Sequence, residues 1–595
     1  MSLKPLALAL IFLFTQFATA QTIEPKNSTE DKAKLEKEAV VFLRETLGDV
    51  GGMRSLENRI SFTAELAGLM WFHDEREAKA MFTSVSDDFR QLLLQYDAQM
   101  NSLSLQPDGE SQGYSGGFLG GDLSGRGRIS RKFTAAMALR QQIAMSMAEH
   151  DADLAYSFYS DSLVAITNAD FRKQIENGSN ARFETQLISQ IAQTNASKAT
   201  EYGLKSLDKG VSYHHVELLK KIYAKDPDKA ADFGAAVLAQ LKKQKYDSAD
   251  YHYLSSLFSF GAETLDRSKK PNGKRAVFTQ QQLSDLADAF AQAILAGGDG
   301  LLSFTTDDIE YEASMIGKFA PARAAQIRAK YKTNASPTVT VSSDIRGGQS
   351  NGQEIADAAI AASDPARAES ERDAKRLGEE VMKIGSRQLP RGERDRVIAE
   401  ARRTIALISA RDQKITAISM LAAQVAQAGD KELAAEIMKD AASLVNPSPK
   451  NYQDFLLTWV LASGYAAADP DKAFPLLEDT IGRANETIAA FVKAGEFFDV
   501  GEEMIQDGEV QFGAFGGGMV RGLTGELGMA DSTIQLLAKA DFTKTKNLTN
   551  RFDRPEVRVL AKMMVIRAIL GPGQKANPQG DVLSDLPAGT KLDEK

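Results

Sequence analysis

Apolar residues recur every three or four positions along much of the chain, and the clearest run lies between residues 393 and 445. They form three successive sets: Val397, Ala401, Ile405 and Ile408; Ile415, Ile418, Ala422 and Val425; and Leu433, Ile437, Ala441 and Leu444. This spacing places each set on one face of an amphipathic helix. The breaks at 410–413 and 428–431 are only a few residues long, so the pattern predicts three helices that fold back antiparallel on one another.

A corner motif recurs elsewhere: an Ala-rich helix end, then Asp or Asn, then Ala four residues later. It occurs at Asp74/Ala78, Asp151/Ala155, Asn195/Ala199, Asp226/Ala230, Asp364/Ala368, Asp430/Ala434 and Asp469/Ala473. The Asp or Asn side chain can cap the amides that open a helix, and the small Ala lets that helix lie close to the preceding one. The motif predicts seven turns between paired helices, and their irregular spacing indicates degenerate repeats.

The stretch from residue 418 to 447 resembles a tetratricopeptide repeat. The positions that carry the resemblance are Ile418, Leu421, Ala422, Val425, Ala434, Met438, Ala441 and Pro447. Ile418 and Val425 stand where that family usually has Trp and Tyr, and Pro447 comes one residue late. The resemblance implies helical hairpins and a protein- or peptide-binding habit, and it assigns no ligand residue. We therefore predict an all-α fold of degenerate helical-hairpin repeats that form an α-solenoid.

Glycine-rich and polar stretches separate the predicted helical regions. Residues 109–128 hold eight Gly and residues 513–528 hold seven, which predicts two loops. The expected order is a signal peptide (1–20), an N-terminal linker (21–32), an N-terminal helical region (33–331), a polar linker (332–353), a C-terminal helical-repeat region (354–571) and a disordered tail (572–595).

The first twenty residues have the pattern of a cleavable secretory signal. Lys4 precedes an apolar run from Leu6 to Phe14, and Ala18-Thr19-Ala20 supplies the small residues that a signal peptidase accepts. The run is much shorter than the roughly 20 residues of a membrane-spanning helix. Gln21 follows the predicted cleavage site, so no cysteine stands there to carry a lipid anchor. We expect a soluble periplasmic or extracellular protein with no membrane span.

The charge balance and the lack of cysteine exclude several functions. The chain has 71 Lys plus Arg, 80 Asp plus Glu and no Cys. Without cysteine there is no disulfide, thiolate zinc site, iron–sulfur cluster or cysteine nucleophile. The net charge of −9 repels phosphate backbones and anionic lipid, so we expect no nucleic-acid partner.

Histidine chemistry has few possible places in this chain. The five His are His73, His150, His214, His215 and His252. His214 and His215 are adjacent and point to different helix faces, although His214 and Glu217 are one turn apart and could share a ligand. His252, between two tyrosines, is the other candidate to converge on them. Because the segment offers no third ligand, we interpret these histidines as structural and predict no metal, no cofactor and no catalytic residue.

Other candidate groups have plainer interpretations. Met145, Met147 and His150 could take copper, but the two methionines lie on diverging helix faces and are expected to pack in a core. Trp71 and Trp459 are also expected in the core.

Neither glycine-containing candidate fits a nucleotide-binding motif. Gly273-Lys274 is followed by Arg275-Ala276, whereas a Walker phosphate loop needs Ser or Thr after the Lys. No strand pattern precedes Gly516-Gly517-Gly518, as a dinucleotide fingerprint requires.

The favoured function is an exported, non-enzymatic protein- or peptide-binding scaffold, because helical repeats build extended binding surfaces. One alternative is an α/α-toroid enzyme acting on polysaccharide, with Tyr213, His214, His215 and the segment Tyr251–Tyr253 near its mouth. A structural component of the cell envelope is the other.

Overall fold

The computed structural model describes residues 29–104, 125–176, 179–243, 250–271, 273–296, 306–331, 376–386, 389–446, 449, 451–498, 505–512 and 528–571. Helices contain 84% of these residues, which confirms the predicted all-α class. The signal peptide, the polar linker, the corner at Asp364, Pro447 and the tail lie outside the described residues, as do 105–124 and 513–527 of the glycine-rich stretches.

The helices before the polar linker are α1 (Thr29–Gly51), α2 (Leu56–Met70), α3 (Glu75–Ser104), α4 (Gly125–Ala148), α5 (Ala152–Asp161), α6 (Ala169–Glu176), α7 (Ser179–Thr194), α8 (Ala196–Ser206), α9 (Tyr213–Lys225), α10 (Pro227–Leu241), α11 (Tyr251–Ser268), α12 (Gln280–Ala296), α13 (Thr306–Gly317) and α14 (Pro321–Tyr331). A short 3-10 helix (Leu207–Lys209) follows α8. Helix α1 starts within the segment 21–32 that the sequence assigns to a linker, and α4 starts within the predicted loop 109–128.

The later elements are α15 (376–385), α16 (Arg391–Ala406), α17 (Arg411–Gln427), α18 (Lys431–Leu444), α19 (Tyr452–Ala468), α20 (Pro470–Phe498), β1 (Ile505–Gln506), β2 (Glu509–Val510), α21 (Gly528–Ala540), α22 (Phe542–Thr549) and α23 (Pro555–Leu570). The chain divides into two compact units. The first is formed by residues 1–88 and 347–595, and the second by residues 89–346.

In the second unit, helices pack on their sequence neighbours and on the helix after that. Helices α4, α7, α9 and α11 contact one another in that order, and so do α5, α8, α10, α12 and α14. Pairs such as α7 and α8, α9 and α10, and α11 and α12 join the two rows. The described helices of this unit therefore form two contacting rows.

The first unit has the same next-but-one packing, and it also joins the two ends of the chain. Helices α17, α19, α21 and α23 contact one another in order, and α23 then packs against α1 and α2. The ring of Phe42 on α1 meets the edge of Phe542 with centroids 6.0 Å apart. The Lys562 ammonium on α23 lies 2.7 Å from the Asp49 carboxylate on α1. Helices from both termini therefore share one core.

Six of the seven predicted corners lie among the described residues, and each is a boundary between two helices. The corner side chains that accept a hydrogen bond from an amide of the following helix are Asp74, Asp151, Asn195, Asp226 and Asp430. The alanines four residues later, namely Ala78, Ala155, Ala199, Ala230, Ala434 and Ala473, are all 0% exposed. The predicted boundary between helices is confirmed at all six positions, and the predicted side-chain cap at five of them.

The corner at Asp226 shows why no loop is needed. Its backbone N–H donates to Ile222 O at 2.7 Å, which ends α9, and its backbone carbonyl accepts from Ala230 N at 3.0 Å, which starts α10. Its carboxylate accepts from the amides of Asp228 and Lys229 at 3.0 and 3.1 Å. One residue thus satisfies free amides at the start of α10 and one carbonyl at the end of α9.

The three helices predicted between 393 and 445 are confirmed as α16, α17 and α18. Of the twelve predicted apolar positions, Leu433 and Leu444 are half-buried, and the other ten are buried. The first break spans 407–410 rather than 410–413, because α17 already begins at Arg411. Gly429 ends α17 with φ 102°, a left-handed conformation that glycine adopts without steric cost.

A short hairpin, which we call the clasp (residues 505–512), is held by helices from both chain ends in the first unit. Asn58 of α2 donates from Nδ2 to Val510 O at 2.9 Å, and its Oδ1 accepts from Phe512 N at 3.0 Å. The amide of Val510 donates to the buried carboxylate of Glu556 on α23 at 3.1 Å. The clasp therefore connects α2 to α23 through hydrogen bonds that the hairpin cannot make within itself.

Candidate functional site

His215 is a buried structural residue at the start of α9. The side chain is 4% exposed. Its Nδ1 accepts from the backbone N–H of Ser212 at 3.1 Å, so the ring proton resides on Nε2, which lies 3.1 Å from Ser206 Oγ. Burial lowers the pKa of His215 to about 4. Both ring nitrogens are occupied, so the neutral ring joins the end of α8 to the start of α9.

The other two histidines of interest lie in different environments. His214 is half-buried, and burial lowers its pKa, with the cation of Arg182 acting in the same direction. His252 is exposed at the start of α11. Among the described residues, no three His, Asp or Glu side chains are grouped so that they could hold a metal ion. The structural interpretation of His215 is supported directly by its hydrogen bonds.

The second unit also contains a buried cation on α4. Arg140 is 2% exposed, and it donates from Nε to Ser162 Oγ at 2.7 Å and from Nη1 to Asn180 Oδ1 at 2.9 Å. Its guanidinium stacks 4.4 Å from the ring centroid of Tyr159 and donates to that residue's carbonyl. Burial lowers the pKa of Arg140 to about 10. Because the group is enclosed, it serves to hold α4, α5 and α7 together and has no access to a ligand.

A set of polar side chains crosses three successive helices of the second unit, and we call it the polar row: Glu217, Lys220, Ser255, Ser256 and Glu312. Lys220 Nζ on α9 lies 2.8 Å from Glu217 Oε1 and 3.2 Å from Ser256 Oγ on α11. Ser255 Oγ donates to Glu312 Oε1 on α13 at 3.1 Å. All five side chains are half-buried.

Tyr251 and Arg182 extend this polar row. The phenol of Tyr251 on α11 donates to Glu312 Oε1 at 3.2 Å, and burial raises the pKa of that phenol. Arg182 on α7 lies near enough to His214 on α9 to act on its pKa. Polar contacts therefore run between α9, α11 and α13, and the charge of Arg182 on α7 acts on α9 without a contact that joins the two.

The contact between Lys220 and Ser256 suggests a serine nucleophile with a lysine base, because Ser–Lys pairs catalyse acyl transfer in some enzymes. A lysine base must be neutral to accept the hydroxyl proton. Here Lys220 Nζ also lies 2.8 Å from Glu217 Oε1, so it donates to that carboxylate as well as to Ser256. The arrangement is suited to hydrogen bonding with a bound molecule and not to proton abstraction.

The remaining candidates from the sequence are placed as follows. Met147 is fully buried, whereas Met145 and His150 are half-buried. Trp71 and Trp459 are half-buried, and Trp459 packs against the hydrophobic core of the first unit. Gly516–Gly518 lies outside the described residues.

Four members of the polar row were not singled out from the sequence: Lys220, Ser255, Ser256 and Glu312. Ser and Lys on a helix surface are common, and the only local signal was the spacing of Glu217 and Lys220, three residues apart on one face.

Comparison with protein-family models and with curated proteins found no match for this chain. Within the part of the chain that the structure describes, no helix combines the length and the apolar composition needed to cross a membrane.

Proposed function

We propose that the chain is an exported scaffold that binds a protein or peptide on stacked helical hairpins of the α-solenoid type. The support is the packing of many of the described helices on the next but one in both units, together with the corners that join helices without loops. Stacks of this kind grow sideways and leave a continuous face along each row of helices. The positions that resemble a tetratricopeptide repeat, such as Ala422 and Met438, are buried between α17, α18 and their neighbours, as that resemblance implies.

The polar row is the part of the second unit that we assign to partner binding, and it is the observation that carries the proposal. It presents carboxylates, an ammonium and hydroxyls from α9, α11 and α13, which are fixed in place by their mutual hydrogen bonds. Packed helix axes are about 8–10 Å apart, so three helices span about 20 Å. An extended peptide covers that length with about six residues. These polar groups can form hydrogen bonds with the N–H and C=O groups of a peptide backbone, whatever the side chains of the peptide.

The polysaccharide-acting alternative receives no comparable support. Of the residues expected at a toroid mouth, His215, Tyr251 and Tyr253 are buried and Tyr213 and His252 are exposed. His215 already uses both ring nitrogens within the protein.

Site-specific photocrosslinking tests the proposal. A benzophenone amino acid replaces His252, whose exposed side chain lies one turn from Ser255 and Ser256 on α11. The matched control carries the same group at Ala239, an exposed position of α10 in the other row of helices. Irradiation with the exported protein fraction of the native cell should give a discrete adduct from position 252 and little from 239.

Two results would contradict the scaffold. One is equal labelling from positions 252 and 239. The other is the absence of any adduct, combined with release of products from a panel of polysaccharides by the purified chain.

A further inference from the structure

Lysines from two separate segments meet at one end of the second unit. Lys221 and Lys225 lie in the last turns of α9, and Lys270 and Lys274 lie in the segment that joins α11 to α12. All four are exposed. We call these four lysines the basic end.

Hydrogen bonds hold the two segments against each other. Lys274 Nζ donates to the carbonyl of Ala224 at 3.4 Å, and Ala224 directly precedes Lys225. One residue further along, Arg275 forms an ion pair of 2.9 Å with Asp228, at the start of α10. The segment after α11 is therefore fixed on the corner between α9 and α10, and its lysines share one surface with those of α9.

Several carboxylates at this end of the unit are already paired, and Asp232 on α10 lies near enough to Arg275 to act on its charge. Asp226 caps the amides that start α10, and Asp228 pairs with Arg275. Glu263 pairs with Arg267 and Asp266 with Lys269, on α11 and at its end. Among the described residues, no carboxylate lies within ion-pair distance of the four lysines of the basic end. The basic end is thus a local positive surface on a chain whose net charge is −9.

Lysines near helix carboxyl ends also offset the helix dipole, and that is their simplest role. Here, however, only Lys274 contacts a helix carbonyl. The ammonium groups of Lys221, Lys225 and Lys270 extend into solvent with no hydrogen bond to the described residues.

We propose that the basic end docks on an anionic phospholipid surface, a property separate from the polar row. Lysine is a compact point charge that attracts phosphate without fixed geometry, which suits a surface of mobile headgroups. Arg275, which could grip one carboxylate or phosphate with two parallel bonds, is already paired. No large apolar side chain is exposed among residues 221–225 or 269–275, so the contact is electrostatic and does not insert into the bilayer. Clusters of four or more basic residues attract anionic membranes in this way.

Neither an acidic peptide nor a nucleic acid is favoured by the same residues. An acidic peptide would gain from free arginines, and single-stranded nucleic acid would need exposed aromatic rings for stacking. The nearest aromatic side chain, Tyr223, is buried against Phe260 with ring centroids 5.5 Å apart.

Vesicle co-sedimentation of the full chain tests the proposal. The probes are phosphatidylcholine vesicles with and without about 40% phosphatidylglycerol, at about 50 mM and about 300 mM salt. We expect weak binding to the anionic vesicles at low salt, with loss at high salt. The variant K270E/K274E should bind at least about tenfold more weakly, because each reversal changes the surface charge by two.

The control is K173E/K318E, which makes the same charge change at two exposed lysines elsewhere in the second unit. This control should bind like the wild type, and circular dichroism confirms that both variants are folded. Three outcomes would overturn the proposal. The first is no binding to anionic vesicles, and the second is an equal loss of vesicle binding in the two variants. The third is that the basic end binds polyglutamate or duplex DNA but does not bind vesicles. Photocrosslinking from position 252 tests the scaffold proposal independently, so a negative vesicle experiment would not contradict that proposal.

Discussion

Replacing His215 by Gln should remove much of the acid sensitivity of the second unit. The folded protein holds the pKa of His215 at about 4 because the ring is buried, whereas the ordinary value is 6.5. The unfolded chain therefore takes up a proton near pH 6.5, and the folded chain does so only near pH 4. Acid therefore favours the unfolded state between pH 6.5 and pH 4. The stability that depends on a neutral His215 is fully present above pH 6.5 and is lost as the pH falls toward 4.

The size of the effect follows from the two pKa values. One pKa unit corresponds to about 1.4 kcal/mol, so full protonation removes about 3 kcal/mol from the free energy of unfolding. Between pH 7 and pH 5 the loss should be about 2 kcal/mol. Gln keeps the polar contacts, because its carbonyl can accept from Ser212 N and its amide can donate to Ser206 Oγ, but it does not titrate.

Urea unfolding at pH 7 and pH 5 measures this difference. Both native tryptophans, Trp71 and Trp459, belong to the first unit, so a Trp placed at half-buried Phe260, with those two replaced by Phe, reports on the second. The H252Q variant, altered at an exposed histidine, is the control and should keep the wild-type pH dependence. If wild type and H215Q lose the same stability between pH 7 and pH 5, the assignment of a buried, neutral His215 is wrong.

Three further changes probe the packing. D226A removes the cap of α10 and should cost about 1 kcal/mol in urea unfolding of the second unit, with D226N nearly neutral. A434L forces a larger side chain between α17 and α18 and should lower the free energy of unfolding of the first unit by about 2 kcal/mol. The control A399L, on the exposed face of α16, should leave that free energy almost unchanged. Equal losses in the two variants would contradict the close packing at the corner. N58A leaves a carbonyl and an amide of the clasp unpaired and should cost about 2–4 kcal/mol, measured by native tryptophan fluorescence; an unchanged midpoint would show that the clasp adds no stability.

The sequence predicts the helix corners well because the relevant information is local. An Asp or Asn side chain reaches only the next two or three amides, and the Ala four residues later is buried at all six described corners. The helices α16 to α18 were predictable for the same reason, since each shows its buried face as a period of three to four residues.

Contacts between distant elements were not predictable from those patterns. Asn58 and Val510 are 452 residues apart in the sequence, and no local pattern around either residue indicates that the two are in contact. Lys220 and Ser256 meet because α9 packs on α11, and Lys274 meets Ala224 for the same reason. From the sequence alone, Gly273-Lys274 can be compared only with a phosphate loop, which it does not match.

The shared core of α1 and α23 has a consequence for the order of folding during synthesis. Asp49 emerges from the ribosome 513 residues before its partner Lys562. At about 5–20 residues per second, α1 spends about half a minute to two minutes without the helix that covers it. The second unit is complete in sequence well before then and can fold first. The nascent first unit, with its apolar faces still uncovered, is therefore the part that a chaperone would encounter unfolded.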